Sequence, residues 1–133
     1  MTSSLHGFLA PDSIAIVGAS ADPTKRGYKA MVGLLNDGYQ GTIYPINPKA
    51  DEILGIKAYP SVTELPAAAD MALIFTPAKT IPSLLHQCGE NGIKGAIILA
   101  SGFGEEDGAG AALEQQVLHA AQDAGVRIVG PNT

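Results

Sequence analysis

Five short apolar runs recur along the chain and constrain its fold more than any other feature. A strand with one wet face alternates apolar and polar residues, whereas these runs are almost continuously apolar. That composition is typical of parallel strands covered on both faces. The runs are Ser13–Gly18, Gly41–Ile46, Met71–Thr76, Gly95–Ala100 and Val126–Gly130.

Three stretches between the runs repeat apolar residues every three to four positions, which predicts helices with one buried face. They are Tyr28–Asn36, with Met31, Leu34 and Leu35 inward; Thr80–Cys88, with Ile81, Leu84 and Leu85; and Gly110–Ala124, with Leu113, Val117, Leu118 and Ala121. Glycines that can end a helix follow each one: Gly38, Gly89 or Gly92, and Gly125. Right-handed crossovers then give an α/β fold, a Rossmann-like, doubly wound and mainly parallel sheet with helices on both faces.

The segment from residue 47 to residue 66 departs from this pattern, because it is rich in proline, glycine and polar turn residues. We expect a short helical turn at Ala50–Leu54 and a short strand at Ile56–Tyr59. Ser61 and Glu64 have capping-box spacing, which predicts a brief helix starting at Ser61.

Composition narrows the class of protein. With 133 residues, 46% of them hydrophobic, the chain is expected to form one domain spanning residues 1–133. A net charge of −5, with no basic cluster beyond Lys25 and Arg26, argues against a nucleic-acid surface.

A single cysteine, Cys88, excludes an intramolecular disulfide and fits a reducing cytoplasm. No run of about 18 apolar residues and no signal peptide is present, so we expect a cytoplasmic protein away from the membrane.

The loop from Gly18 to Gly27 joins the first strand to the first helix and has the features of a phosphate site. Gly18 allows close approach of the backbone, Ser20 and Thr24 carry hydroxyls, and the helix start supplies free N–H groups. A nicotinamide dinucleotide site prefers Gly-x-Gly-x-x-Gly, but Ser20 and Pro23 stand at the second and third glycine positions. A nucleotide of another kind is indicated.

Loops at the carboxyl ends of four strands are expected to form one rim: Gly18–Gly27, Asn47–Asp51, Thr76–Thr80 and Ser101–Gly110. Lys25 and Arg26 are candidates for neutralising phosphate charge. Lys49 stands where a dinucleotide fold places a ribose-binding acid, and a cation there suits an extra phosphate on the sugar. The alternative for each of the three is an ordinary solvated side chain.

Uncharged turns complete the rim. Thr76, Pro77 and Ala78 offer an apolar wall for an adenine or an acyl chain, the alternative being that Pro77 simply begins a helix. The sequence has no nucleophile elbow, no Walker loop and no metal triad of histidines. The adjacent acids Glu105, Glu106 and Asp107 are more typical of a solvated surface than of acid–base catalysis. We therefore expect binding without catalysis and without a metal site.

Several separated segments, taken together, resemble the N-terminal coenzyme A-binding domain of the NDP-forming (ADP-forming) acyl-CoA synthetases. They are Ile16–Ser20, Gly38–Gly41, Tyr44–Lys49, Gly55–Ser61, Asp70–Ala72, Ser101–Glu105 and Gly130–Asn132. The same domain occurs in the α subunit of succinyl-CoA synthetase and in synthetase-like bacterial protein lysine acetyltransferases. The chain departs from the family at Thr133, where a cysteine is usual, and neither His86 nor His119 occupies the place of the family's phosphorylated histidine.

This resemblance implies coenzyme A or acyl-CoA as the ligand and a set of residues that hold it. Its diphosphate would lie against Gly18, Ala19, Ser20, Lys25 and Arg26, with Lys49 near the nucleotide's phosphates. Adenine would lie beside Thr76, Pro77 and Ala78, and the pantetheine arm beside Ala100, Ser101 and Gly102.

The implied whole protein is an ATP-using ligase or an acetyltransferase, in which this domain presents coenzyme A to an acyl phosphate. Its partners would be the remaining synthetase domains, in cis or as a second subunit, and homo-oligomerisation is left open. A regulatory domain that senses an adenine nucleotide is the alternative. An NAD(P)-dependent oxidoreductase is disfavoured by Ser20, Pro23 and Lys49.

Overall fold

The computed structural model describes residues 11–99 and 108–129, and for residues 108–111 the backbone alone. Its main sheet has five parallel strands: β1 (Ser13–Val17), β2 (Thr42–Ile46), β5 (Met71–Ile74), β6 (Gly95–Ile98) and β7 (Arg127–Val129). Their order across the sheet is β2-β1-β5-β6-β7. The predicted Rossmann-like α/β fold is confirmed, and all five apolar runs form strands.

The three predicted helices also form. They are α1 (Arg26–Asn36), α2 (Ile81–Asn91) and α3 (Gly108–Ala124). Alternate residues of β1 enter two different hydrophobic clusters: Ile14 and Ile16 pack in the cluster that holds Met31 of α1, and Ala15 and Val17 in the cluster of α2 and α3. The sheet is therefore covered on both faces, as its continuous apolar runs predict.

Glycine ends the helices as expected. The residues after α1, α2 and α3 include Gly38, Gly92 and Gly125, with φ of +78°, +97° and +73°. The sequence left two candidates, Gly89 and Gly92, for the residue that ends α2. Gly92 ends the helix and adopts the left-handed conformation. Gly89 lies inside α2, where a Cβ would sit 2.7 Å from the carbonyl oxygen of Ala124. Its missing side chain lets α2 approach α3.

Two local predictions are wrong. The segment Ala50–Leu54 is not helical: β3 (Glu52–Ile53) and β4 (Ile56–Lys57) form an antiparallel hairpin, closed by positive φ at Leu54 and Gly55. This arrangement buries Ile53 against α1. The predicted strand Ile56–Tyr59 is shortened to β4, although Tyr59 makes a separate parallel bridge to Ile46.

The brief helix near Ser61 forms as a 3-10 turn, Val62–Glu64, without the capping box. The Ser61 hydroxyl contacts that of Thr63 at 2.7 Å instead of bonding a backbone N–H. Among the residues predicted to face inward, Leu35 and Leu118 are exposed to 44% and 42%. No helix within the described ranges is long and apolar enough to cross a bilayer.

Candidate nucleotide-binding cleft

A cleft of about 560 Å³ opens at the carboxyl ends of β1, β2 and β5. A crevice at this edge is where open α/β sheets bind ligands, because the strand order reverses there. Its lining comes from residues 17–20, 24–27, 46–48, 60–62 and 75–76, together with Leu84 and Gln87 of α2. Three of the four loops predicted to form the rim, those that follow β1, β2 and β5, therefore contribute residues to one cleft.

The turn after β1 needs two glycines. Gly18 has φ of +92°, and a Cβ there would lie 3.2 Å from Cβ of Phe75. A Cβ on Gly27 would overlap the Gly18 carbonyl oxygen and lie 3.1 Å from Cα of Ala19. The first turn of α1 thus packs directly on the backbone of the loop, which brings the helix N-terminus to the cleft.

Side chains inside the loop hold its shape. The Asp22 N–H donates to Oγ of Ser20 at 2.9 Å, and the N–H and hydroxyl of Thr24 both donate to the Asp22 carboxylate, at 2.9 and 2.8 Å. The bond from the Thr24 N–H is the main reason that the pKa of Asp22 is lowered. The Thr24 hydroxyl proton is committed to Asp22, whereas the Ser20 hydroxyl keeps its proton available for a ligand.

The N-terminus of α1 carries the positive charge of the site. Its N-cap residue, Lys25, has extended backbone and makes no side-chain capping bond, and the first turn contains no acidic residue. The first N–H groups of the helix have no intrahelical acceptor, so they can bind an anion together with the dipole. The Arg26 guanidinium carbon lies 5.9 Å from the ring centroid of Phe75, which keeps this side chain beside the cleft.

Asn47 joins the first two loops, a role that the sequence did not single out. Its Nδ2 donates to the Ala19 carbonyl at 2.9 Å, and its Oδ1 accepts the Lys49 N–H at 2.7 Å. Its own N–H donates to the Tyr59 carbonyl at 2.9 Å. Lys49 is exposed and does not line the cleft, but it directly follows Pro48, which does.

The predicted apolar turn is divided by the structure. Thr76 lines the cleft, whereas Pro77 is exposed and Ala78 is buried in the following 3-10 turn, Ala78–Thr80. The Thr80 hydroxyl spans this turn by contacting Oγ1 of Thr76 at 2.9 Å. Ala100, Ser101 and Gly102, predicted to lie beside the pantetheine arm, fall outside the described residues.

Residues of the crossover and of α2 line the cleft without having been predicted as site residues: Pro60, Ser61, Val62, Leu84 and Gln87. The i, i+3 spacing of Leu84 and Gln87 shows that they share a helix face, but not that the crossover meets it. Phe75 and Pro48 were likewise missed. Both lie next to predicted residues, so their place in the loops was the only available signal.

His86, Cys88 and His119 do not line the cleft. His86 and His119 are both exposed and line a shallow groove between α2 and α3. Burial raises the pKa of the Cys88 thiol to about 12, so it is protonated at neutral pH. Within residues 11–99 and 108–129, no group of three or more metal-ligating side chains is found.

Comparison with known proteins identifies the family. The family model described as "CoA binding domain" matches residues 12–133. The chain belongs to this family. It is a CoA-binding domain of the type found in ADP-forming acyl-CoA synthetases, so the resemblance predicted from its motifs is confirmed.

Curated relatives in this family are much longer than the chain. The acetate–CoA ligase [ADP-forming] II of Archaeoglobus fulgidus is 46% identical over 97% of this chain, which spans 19% of that protein. The acetate–CoA ligase [ADP-forming] I subunit alpha of Pyrococcus furiosus is also 46% identical over 97% of the chain, which spans 29% of it. The CoA-binding domain therefore covers less than a third of either relative.

A solved structure also matches the chain over a small part of a longer protein. The dinucleotide-forming acetyl-coenzyme A synthetase 1 of Ca. Korarchaeum cryptofilum, in complex with phosphate and ADP, superposes with a TM-score of 0.88 and 39% identity. The match covers 98% of this chain and 28% of the synthetase chain.

Proposed function

We propose that the chain binds coenzyme A in the cleft and presents its thiol for acyl transfer within an NDP-forming acyl-CoA synthetase. The observation that carries the proposal is the uncapped N-terminus of α1, flanked by Lys25 and Arg26, at a cleft of about 560 Å³. The family and the names of its relatives supply the identity of that nucleotide.

The diphosphate is assigned to the turn after β1. Gly18, Ala19 and Ser20 border the cleft beside the free N–H groups of α1, and Lys25 and Arg26 add two positive charges. The chain as a whole is acidic, with a net charge of −5, so attraction of an anion depends on this local arrangement.

The 3′-phosphate of coenzyme A is assigned to Lys49. Pro48 borders the cleft, and the Lys49 backbone is fixed by its bond to Asn47, so the ammonium group can reach the rim from solvent. Of the three residues predicted to form an apolar wall, Thr76 lines the cleft, and Pro77 and Ala78 follow it in the chain. Ala100, Ser101 and Gly102 are proposed to contact the pantetheine arm.

Catalysis is assigned to other parts of the full protein. Among the described residues, no histidine, cysteine, aspartate or glutamate lines the cleft, and the chain spans less than a third of its relatives. We therefore propose that the remaining synthetase domains, in cis or as a second subunit, form the acyl phosphate that the bound thiol attacks. Such a protein would act as an acid–thiol ligase.

Isothermal titration calorimetry of the chain with coenzyme A and with dephospho-coenzyme A tests the proposal. Lys49→Gln should weaken coenzyme A binding about tenfold and leave dephospho-coenzyme A unaffected, because a charged hydrogen bond to phosphate is lost. Lys29→Gln removes the same charge from an exposed position on α1 outside the cleft and serves as the control. A folded wild-type chain that binds neither ligand overturns the proposed function.

A further inference from the structure

We propose that the N-terminal segment, residues 1–10, packs through its apolar side chains on a part of the main sheet that no described helix covers. This part, called the open face below, consists of side chains of β5, β6 and the residues that follow them, on the side of the sheet that faces α1. Its members are Leu73, Ile97, Leu99 and Val129. None of them lines the cleft, so this inference is independent of the proposed function.

The alternation of side chains along each strand shows which way the open face points. Ala96 and Ile98 belong to the hydrophobic cluster of α2 and α3, so Ile97 between them points to the opposite side of β6. Ile128 packs against the same cluster, and Val129 next to it therefore points away from α2 and α3. Both side chains face the side on which α1 lies.

Exposure increases across the sheet with distance from α1. The register places four side chains in one row on neighbouring strands: Ile16, Leu73, Ile97 and Val129. Ile16, in the cluster of α1, is 0% exposed, Leu73 and Ile97 are partly buried, and Val129 is 44% exposed. Because α1 joins β1 to β2 and the other two described helices pack on the opposite side, this end of the row has no helix over it within residues 11–99 and 108–129.

The N-terminal segment has apolar side chains that need such a surface. Leu5, Phe8 and Leu9 stand at positions i, i+3 and i+4, which places them on one side of a helical turn. Pro11 favours an end to that helix just before β1. A helix this short is stable only when its apolar side is packed, and the open face is an apolar surface of matching character on the same chain.

The start of β1 brings the segment within reach of the open face. The Tyr39 hydroxyl donates to the Pro11 carbonyl at 2.8 Å, and the Asp12 N–H donates to the Asp70 carboxylate at 2.7 Å, so residue 10 is attached at the amino ends of β1 and β5. Met71, on the open side of β5 at this end, is 4% exposed although neither cluster contains it.

The distances agree with this placement. Three strand spacings of about 4.8 Å separate β1 from β7, or about 14 Å, and a ten-residue helix is about 15 Å long. A short connection also gives the segment an effective concentration on the order of millimolar at the open face. This favours the segment over a second copy of the chain as the occupant.

The test measures by urea denaturation how Phe8→Ser changes the folding equilibrium constant in four backgrounds. These are wild type, Ile97→Ala, Val129→Ser and the control Leu118→Ser, which changes a leucine of α3 with 42% exposure on the other side of the sheet. Phe8→Ser should lower the constant at least about fivefold in wild type and in Leu118→Ser, because apolar contacts are lost. In Ile97→Ala and Val129→Ser its effect should fall to less than about half, since one partner is already altered.

Three results would overturn the proposal. An unchanged constant for Phe8→Ser in monomeric wild type would show that the segment does not cover the open face. An effect of equal size in all four backgrounds would place the segment elsewhere on the domain. Sedimentation at low and high protein concentration tests the second copy: a wild-type dimer that Val129→Ser dissociates and Phe8→Ser does not would assign the open face to that copy. Should Ile97→Ala fail to fold, Val129→Ser at the exposed end of the row still decides the outcome.

Discussion

The side-chain amide of Asn47 donates a hydrogen bond of 2.9 Å to the carbonyl oxygen of Ala19, and so ties the loop after β2 to the turn after β1. The same side chain accepts the Lys49 N–H at 2.7 Å. One residue thereby sets the distance between the proposed diphosphate site and the proposed 3′-phosphate site. Its effect on binding is exerted through the positions of the two loops.

Asn47→Ala should lower the free energy of unfolding by about 1–2 kcal/mol, because two hydrogen bonds are lost and the partly buried Ala19 carbonyl loses its partner. Coenzyme A binding should weaken by more than the loss of stability measured by chemical denaturation can explain. The reason is that both loops lose the contact that positions them. Asn36→Ala, at the exposed end of α1, is the control. Unchanged affinity in a stable Asn47→Ala protein would show that the loops hold their positions without this contact.

Two glycines of α1, Gly27 and Gly33, allow the effect of backbone packing on stability to be measured apart from the effect of helix propensity. Gly27→Ala places a methyl group against the Gly18 carbonyl and should destabilise the chain by at least about 2 kcal/mol. Gly33→Ala, with nothing within 4 Å of the added Cβ, should stabilise it by about 0.5–1 kcal/mol. Thermal melts of the two variants are the measurement. Similar shifts in both would contradict the tight packing of helix on loop.

The main sheet and the three helices are predictable from the sequence because burial on both faces leaves an unbroken apolar signal in each strand. The hairpin of β3 and β4 is not, since each strand has only two residues and Leu54 adopts a positive φ that glycine usually supplies. Exposure of Leu118 was also missed, because helical spacing identifies a face but not how much of it the sheet covers.

The candidate site divides in the same way. Its proposed phosphate end lies within one continuous segment, so local pattern alone was enough to predict Gly18, Ser20 and Arg26, which line the cleft. The part of the cleft lined by Pro60, Ser61 and Gln87 brings together a crossover and a helix that are far apart in the chain. Their meeting depends on packing of the whole α2 face, which no local spacing records.

The charge at the start of α1 should dominate the salt dependence of ligand binding. Replacing both Lys25 and Arg26 with glutamine should weaken coenzyme A binding at least about tenfold at low salt, because charge-assisted bonds to phosphate are lost. The decline of affinity with added salt should become shallower, since fewer charges remain to be screened. Calorimetry at several salt concentrations measures both effects. Lys94→Gln, at an exposed position before β6, controls for net charge, and an equal effect there would assign attraction to the overall field.

Burial of Cys88 predicts a pH dependence of stability with a definite sign. The folded thiol has a pKa of about 12, raised by desolvation, whereas an unfolded cysteine titrates near about 8.5. Between these values the unfolded chain releases a proton that the folded chain keeps, so the contribution is fully present below about pH 8.5 and is lost as pH rises. This group alone should lower the free energy of unfolding by about 1.4 kcal/mol per pH unit in that window. Urea denaturation of wild type and Cys88→Ala at pH 8, 9 and 10 isolates the effect from tyrosine and lysine titration. Parallel pH profiles for the two proteins would show that the thiol ionises equally in both states.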